Sequence, residues 1–490
     1  MRKSGILMHI SSLPSPWGIG TMGAEARKFA DFLHESGQKY WQILPISPTG
    51  YGDSPYQSFS AYAGNPYFID LDILSEWGLL EKSDYASIDW GSDPSRVDFG
   101  LLYENRFDVL RKAAASLLYT ADSEFIAFCR SSAFWLDDYA LFMALKDSHG
   151  GASWTDWERP LRFRKPDALR EAKGRLAKEI DFYKALQYLF FKQWGLLKSY
   201  AGEKGISIIG DMPIYVAPDS SDLWAQPHLF MLNSELKPTY VAGCPPDGFS
   251  ENGQLWGNPL YDWGEMEKNG YSWWISRIRH QFEIYDVLRI DHFRGFDEYY
   301  AIPYGSDTAK IGRWQKGPGI GLFDAVKAAI GKKQIIAEDL GYLNDSVRKL
   351  LRDCGFPGMK VLQFAFDSRE DSDYLPHNFS SHCVAYTGTH DNDTISGWFG
   401  TAPEADVKKA REYLRIHDDE SEAKAMLCAL WGSVADLAIA QMQDLLKLGS
   451  EGRMNTPSTL GGNWLWRMRP DTDLAEISAW LLRVTELYGR

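Results

Sequence analysis

Three carboxylates sit where short apolar segments give out: Asp291 in "YDVLRIDHFRG", Glu338 in "QIIAEDLG" and Asp391 in "VAYTGTHDND". Each follows a run of the kind that makes a buried parallel strand, and each is followed by a turn through Gly, Asn or His. Parallel α/β folds carry their active sites at the carboxyl ends of their strands, so acids recurring at that place are candidates for chemistry. Two such acids support cleavage of an acetal between sugars, one protonating the leaving oxygen and the other attacking or stabilising the sugar cation.

The flanking residues suggest a division of labour. Arg289 lies two positions before Asp291, on the same side of a strand, and favours an ionised Asp291, as a nucleophile requires. Glu338 leaves an apolar strand beside a second acid, Asp339; burial and like charge both raise a carboxyl pKa, as a general acid requires. Asp391 follows His390 in a loop of hydrogen-bonding residues, 387–394, suited to holding sugar hydroxyls in a distorted ring. A retaining pair made of Asp291 and Glu338 has its carboxyls about 5 to 5.5 Å apart. Taken singly, a strand-end acid is more often a helix cap or a surface acid. The run from His390 to Asp393 contains metal-ligand types, but no second His lies near it in sequence, so no metal site is assigned. "GPGIG" at 317–321 has no strand before it and reads as a loop, not a dinucleotide site.

These acids need a scaffold of strands. Apolar runs predict strands at 5–10, 40–44, 206–211, 287–291, 334–339, 360–366 and 383–387, with an eighth at 438–442 whose pattern equally fits a helix. Strands separated by helical stretches point to a (β/α)8 TIM barrel, with the whole chain, 1–490, as one catalytic domain. Two connections are too long for one helix. The first, about 62–204, is amphipathic and predicts a mainly helical insertion; the second, about 213–275, is rich in Pro, Gly, Asn and aromatics in its first fifty residues and predicts a loop-rich rim insertion. The last segment, "EISAWLLRVTELYGR", fits a final barrel helix.

Composition narrows the partners. The formal charge of −14, from 66 Asp+Glu against 52 Lys+Arg, opposes nucleic acid and anionic lipid surfaces. No apolar stretch is long enough to span a bilayer, and the start, "MRKSGILMHISSLPSP", reads as a first strand and not as a signal peptide. Five scattered cysteines without a C-x-x-C pair fit a reducing cytoplasm. Most of the 19 Trp are expected in the core, but some fall in polar, Gly-rich loops such as "TGYGDSPYQSFSAYAGNPY" and "FSENGQLWGNPLYDW", where flat rings beside donors suit sugars.

At "VLRIDHFRG", "IIAEDLG" and "THDNDT" taken together, the chain resembles the amylomaltases, the 4-alpha-glucanotransferases of the α-amylase superfamily. The resemblance runs from "GILMHISSLPSPWGIG" through "GDMPIYVAPDSSDLWAQP" and "GCPPDGFSENGQLWGNP" to "RMNTPSTLGGNWLWR". It implies a barrel with inserted subdomains, no separate C-terminal β-domain, and retaining double displacement on α-1,4-glucans with glucose or glucan as acceptor, without metal or organic cofactor. By position it implies Asp291 as nucleophile, Glu338 as acid/base and Asp391 as stabiliser. Tyr56 matches the aromatic stacked on the sugar, and Asp211, Arg289, His292 and His390 match residues that hold it. Ser54, Gln254, Trp256 and Asn463 match acceptor-side and loop contacts, and Tyr51 matches one member of a second, remote glucan site. The resemblance assigns no oligomeric state.

The same acids serve a hydrolase, so transfer needs an acceptor held close, with effective molarities that reach ~10⁵ M or more. The aromatic segment 249–256 is the expected device. An α-glucan hydrolase and a non-catalytic glucan-binding scaffold remain as alternatives.

Overall fold

In a computed structural model of the chain, residues 2–50, 52–120, 122–246, 251–341, 343–417 and 420–490 are described. They form twelve strands: β1 (Lys3–Leu7), β2 (Tyr40–Gln42), β3 (Ser207–Met212), β4 (Tyr240–Cys244), β5 (Gln254–Pro259), β6 (Val287–Ile290), β7 (Glu298–Pro303), β8 (Arg313–Lys316), β9 (Ile335–Ala337), β10 (Gly358–Val361), β11 (Cys383–Tyr386) and β12 (Leu437–Gln441). Eight are parallel and neighbour one another in the order β10, β11, β12, β1, β2, β3, β6, β9. The ends of that row meet where the Ala337 N–H donates to the Pro357 carbonyl at 3.0 Å, closing a (β/α)8 barrel. β6, β9, β11 and β12 are apolar along almost their whole length and buried, as strands covered on both faces must be.

The ambiguous eighth segment is a strand. Leu437–Gln441 pairs with β1 and with β11, and a run of five buried residues cannot be amphipathic. Several strands are shorter than their apolar runs suggest; β2 ends at Gln42. β1 stops at Leu7 and the chain turns at Ile10–Ser12; β9 ends at Ala337; β10 starts early, at Gly358, and gives way at Val361 to a tight helical turn, Leu362–Phe366. Apolar patterning continues past the ladder because these turns also face the core, with Leu362, Ala365 and Phe366 buried.

Between β2 and β3 the chain is helical from Leu71–Glu76 onward, ending in the 27-residue helix Ala177–Glu203 that leads into β3. Two buried glutamines on that helix act as staples. Gln187 accepts from the Gly64 N–H and donates to the Gly64 carbonyl; Gln193 does the same at Asp70. They fix the segment that continues from the Tyr56 loop, satisfying backbone groups that would otherwise be buried unpaired.

The stretch 213–275 differs from the loop expected. It contains β4 and β5, which join β7 and β8 in an antiparallel sheet of order β5, β4, β7, β8. Pro and Gly hid these strands, and β4 finds its partner β7 more than fifty residues away, so no local pattern announces the pairing.

Candidate active site

Register brings the first two acids together. In the β6–β9 ladder Ile290 faces Ala337, so Asp291 and Glu338 are the next residues on adjacent strands, whose spacing is about 4.8 Å. The Glu338 N–H donates to the Ile290 carbonyl at 2.9 Å, and the Phe293 N–H to the Glu338 carbonyl at 2.9 Å, so both backbones are tied at the level of the carboxylates. His292 turns the chain through a left-handed conformation (φ 49°), and its N–H donates to Glu338 Oε2 at 2.8 Å. The Leu340 N–H takes Oε1 at 2.7 Å. The Glu338 carboxyl is thereby aimed before any substrate arrives.

Arg289 is the only cation buried among these acids in the described residues, 3% exposed on β6. Its Nη1 donates to Asp291 Oδ1 at 3.0 Å and also to Oδ2 of Asp211, the residue opposite it on β3. The Tyr56 hydroxyl donates to the same Asp211 oxygen at 2.8 Å, and its ring stacks on His390 with centroids 5.0 Å apart. Asp391 lies beyond β11. Its Oδ1 accepts from Asn455 Nδ2 at 2.6 Å and lies 3.4 Å from His390 Nε2, while its carbonyl accepts from Arg453 at 2.7 Å. Gly388 lets this loop pass close to the barrel, since a Cβ there would meet Gln363 and Gln441 Nε2 at 2.7 and 2.8 Å.

The charges depart from expectation in one respect. Burial pushes Asp291 well above the ordinary carboxylate range; Arg289 is the largest influence opposing it, and Asp211, Glu338 and Asp391 add to the rise. Glu338 is also raised by burial, against Arg289 and its two N–H donors, with only a small contribution from Asp339. The opposite environments expected from the flanking residues are therefore absent: both acids are raised, first by burial and then by carboxylates crowding around one guanidinium. Asp291 and Glu338 titrate together, and the pair holds a proton more tightly than two free acids do. The Asp291 side chain keeps 30% of its exposure, so its free oxygen Oδ2 faces the cleft. Burial lowers His390 as well, and brings His292 down to about 4, so both rings are neutral near pH 7.

The rim sheet reaches the same place. Trp256, on β5, meets the His292 ring edge to face at 4.8 Å and donates from Nε1 to Gln254 Oε1 at 3.0 Å. Ser54 and Asn463 are spent locally. Ser54 Oγ accepts from the Tyr56 N–H, and Asn463 binds the Thr456 N–H and the Thr459 hydroxyl within its own loop. The residue after it, Trp464, is the one that touches the site, 6.0 Å from Tyr56 and 5.8 Å from His390 between ring centroids. Tyr51 and the start of the segment 249–256 lie outside the described residues. Sequence reasoning overlooked Trp464, Arg453 and Asn455, although all three stand in the motif "RMNTPSTLGGNWLWR". Among the described residues no group of three or more His, Cys, Asp or Glu is placed to hold a metal ion.

The family model for 4-alpha-glucanotransferases matches residues 8–473. The chain belongs to that family. It is 50% identical over 485 residues to a 4-alpha-glucanotransferase of Clostridium butyricum, covering 99% of this chain and all of the relative. A Thermus thermophilus 4-alpha-glucanotransferase is 49% identical over 500 residues, covering 100% of this chain and 99% of its own. Among solved structures, the amylomaltase from Streptococcus agalactiae in complex with acarbose superposes with a TM-score of 0.98 at 44% identity, each chain covered in full. The enzyme is a 4-alpha-glucanotransferase, and its cleft acids stand on that scaffold.

Proposed function

We propose that the enzyme disproportionates α-1,4-glucans by retaining double displacement, with Asp291 as nucleophile and Glu338 as acid/base. Asp291 Oδ2 attacks the anomeric carbon as the glycosidic bond breaks, and the Glu338 proton goes to the departing 4-oxygen. The 4-hydroxyl of glucose or another glucan then gives its proton to Glu338 and its oxygen to the anomeric carbon, and the Asp291 ester bond breaks. Arg289 holds Asp291 Oδ1 and offsets the charge on its carboxylate. Asp391, with Oδ1 fixed by Asn455, presents Oδ2 to ring hydroxyls, contacts that strengthen as the ring flattens. Tyr56, stacked on His390 and held by Asp211, supports the bound ring, with His292 beside its hydroxyls; Gln254 and Trp256 border the acceptor side.

The observation that carries this reading is the placement of Asp291 and Glu338 on adjacent strands at one level, each already fixed by a donor. That the Streptococcus agalactiae amylomaltase is in complex with acarbose supports a ligand of sugar type. Trp256 against His292 supports transfer over hydrolysis, by covering the ester and seating an acceptor. The chain acts as one barrel domain, interrupted by the helical insertion and the rim sheet, in the cytoplasm. Among the described residues no helix is long and apolar enough to cross a membrane. Incubation with maltotriose tests the reading: glucose and longer glucans are expected with no net gain in reducing ends, whereas rising reducing ends indicate a hydrolase and unchanged substrate a scaffold.

A further inference from the structure

The loop that carries His390 and Asp391 leaves β11 at Thr387 and ends at Ile395, where the helix Ile395–Thr401 begins. One carboxylate holds both ends. Asp444, 1% exposed in the short helix Met442–Leu445 that follows β12, accepts from the Thr387 hydroxyl at Oδ2 (2.6 Å) and from the Ile395 N–H at Oδ1 (2.8 Å). Thr387 and Ile395 are themselves fully buried. Other contacts shape the interior of the loop: Asn392 Oδ1 accepts from the Thr389 N–H at 2.8 Å, and Gln363 Nε2 donates to the Asp393 carbonyl at 2.7 Å. Asp391 stands between the two points that Asp444 ties together, so a shift of either end moves its carboxylate.

Packing alone gives no reason for an acid here. Burial pushes Asp444 up to about 7 against the Thr387 and Ile395 donors, and Asp393 adds to the rise. Burying a carboxylate without a cationic partner costs stability, and an apolar residue would fill the same space. Both side-chain bonds of Asp444 go to the ends of one loop, and that loop bears the acid assigned to the sugar ring. Contacts that strengthen only as the ring flattens are sensitive to placement, and a displacement of about 1 Å caused far from the chemistry can lower a rate by roughly 10²-fold. We propose that Asp444 is a positioning residue for the transfer reaction: by tying Thr387 to Ile395 it sets the place of Asp391 against the sugar ring, an inference that rests on the reading of Asp391 as the stabiliser.

The test compares kcat and KM on maltotriose, with kcat referred to folded protein. Asp444→Ala is expected to lower kcat by about 10 to 100-fold while KM changes less than about threefold. Asp444→Asn keeps an acceptor for the Ile395 N–H and offers a donor to Thr387 Oγ, so its kcat is expected within about threefold of the wild type. Combined with Asp391→Asn, Asp444→Ala is expected to cost less than about threefold more, since the group it places is already lost. Should Asp444→Ala fail to fold, Thr387→Val removes one of the two bonds at nearly constant size, and Thr387→Ser keeps it; a loss of about 3 to 10-fold in kcat is expected in the first and none in the second. A folded Asp444→Ala or Thr387→Val protein with wild-type kcat overturns the proposal. So does an Asp444→Asn protein as slow as Asp444→Ala, or a loss that multiplies in full with that of Asp391→Asn. Asp391→Asn alone reads the cleft: wild-type kcat in that variant defeats the reading of Asp391 itself, a failure distinguishable from that of Asp444.

Discussion

The two ends of the barrel are built on opposite principles. At the carboxyl ends of the strands, Asp211, Asp291 and Glu338 converge on one guanidinium with Asp391 nearby, and two of the acids are raised by burial and mutual repulsion. At the amino ends, side chains meet the backbone groups of the strand starts. The Arg490 guanidinium donates to the carbonyls of Trp431, Lys3, Ala435 and Ser433, and Asp286 accepts from the Ile208 N–H, closing the strand starts. A cavity of about 410 Å³ opens at this end, lined by Tyr40, Phe356 and Val384 with none of the cleft acids. Cavity size therefore does not distinguish the two ends as charge does: under-neutralised carboxylates gather only at the carboxyl end. The energetic consequence is an asymmetry: substitutions at the carboxyl end act on rate, and those at the amino end act on stability.

Substitutions at four positions break or sharpen that contrast. Glu338→Gln removes the shared proton and is expected to lower kcat on maltotriose by roughly 10² to 10⁴-fold. Because a raised Glu338 is active only below its pKa, the alkaline limb of the wild-type pH profile should vanish in this variant. The acid limb, where Asp291 gains its proton, should remain, lying above the ordinary carboxylate range. Asn455→Ala frees Asp391 Oδ1 and is expected to lower kcat by roughly 10 to 100-fold with little change in KM. Asn455→Asp, of the same shape but like charge, should be at least as damaging; full activity in that variant would show that Asn455 only fills space. Trp256→Ala is expected to lower the ratio of transfer to hydrolysis by roughly 2 to 10-fold, read as net reducing ends against released glucose. At the other end, Arg490→Ala leaves carbonyls unpaired. It should lower stability by about 1 to 3 kcal/mol in a denaturant titration while kcat stays unchanged.

Legibility in the sequence follows the range of the interactions. Barrel strands were visible because both faces are buried, and their ends were marked by the acids themselves. Asp291 and Glu338 could be paired in advance because each ends its own apolar run. The antiparallel rim sheet was not legible, since Gly and Pro interrupt β5 and the central pairing, β4 with β7, spans more than fifty residues. The rise of the Asp291 pKa was missed for a related reason. Arg289 is two residues away and easily seen, whereas Asp211, Glu338 and Asp391 arrive from three other strands. Asn455 was invisible as a partner of Asp391, 64 positions distant, although its motif was recognised. Asp339, next to Glu338 in sequence, turns out to serve the backbone, accepting from the Met359 N–H at 2.6 Å.

The most direct test of the account is to trap the intermediate. Glu338→Gln protein is incubated with an α-maltosyl donor whose leaving group departs without protonation, and its peptides are examined by mass spectrometry. A maltosyl ester on the peptide bearing Asp291 is the predicted result. An ester on another residue, or turnover to products of inverted anomeric configuration without an ester, would contradict it.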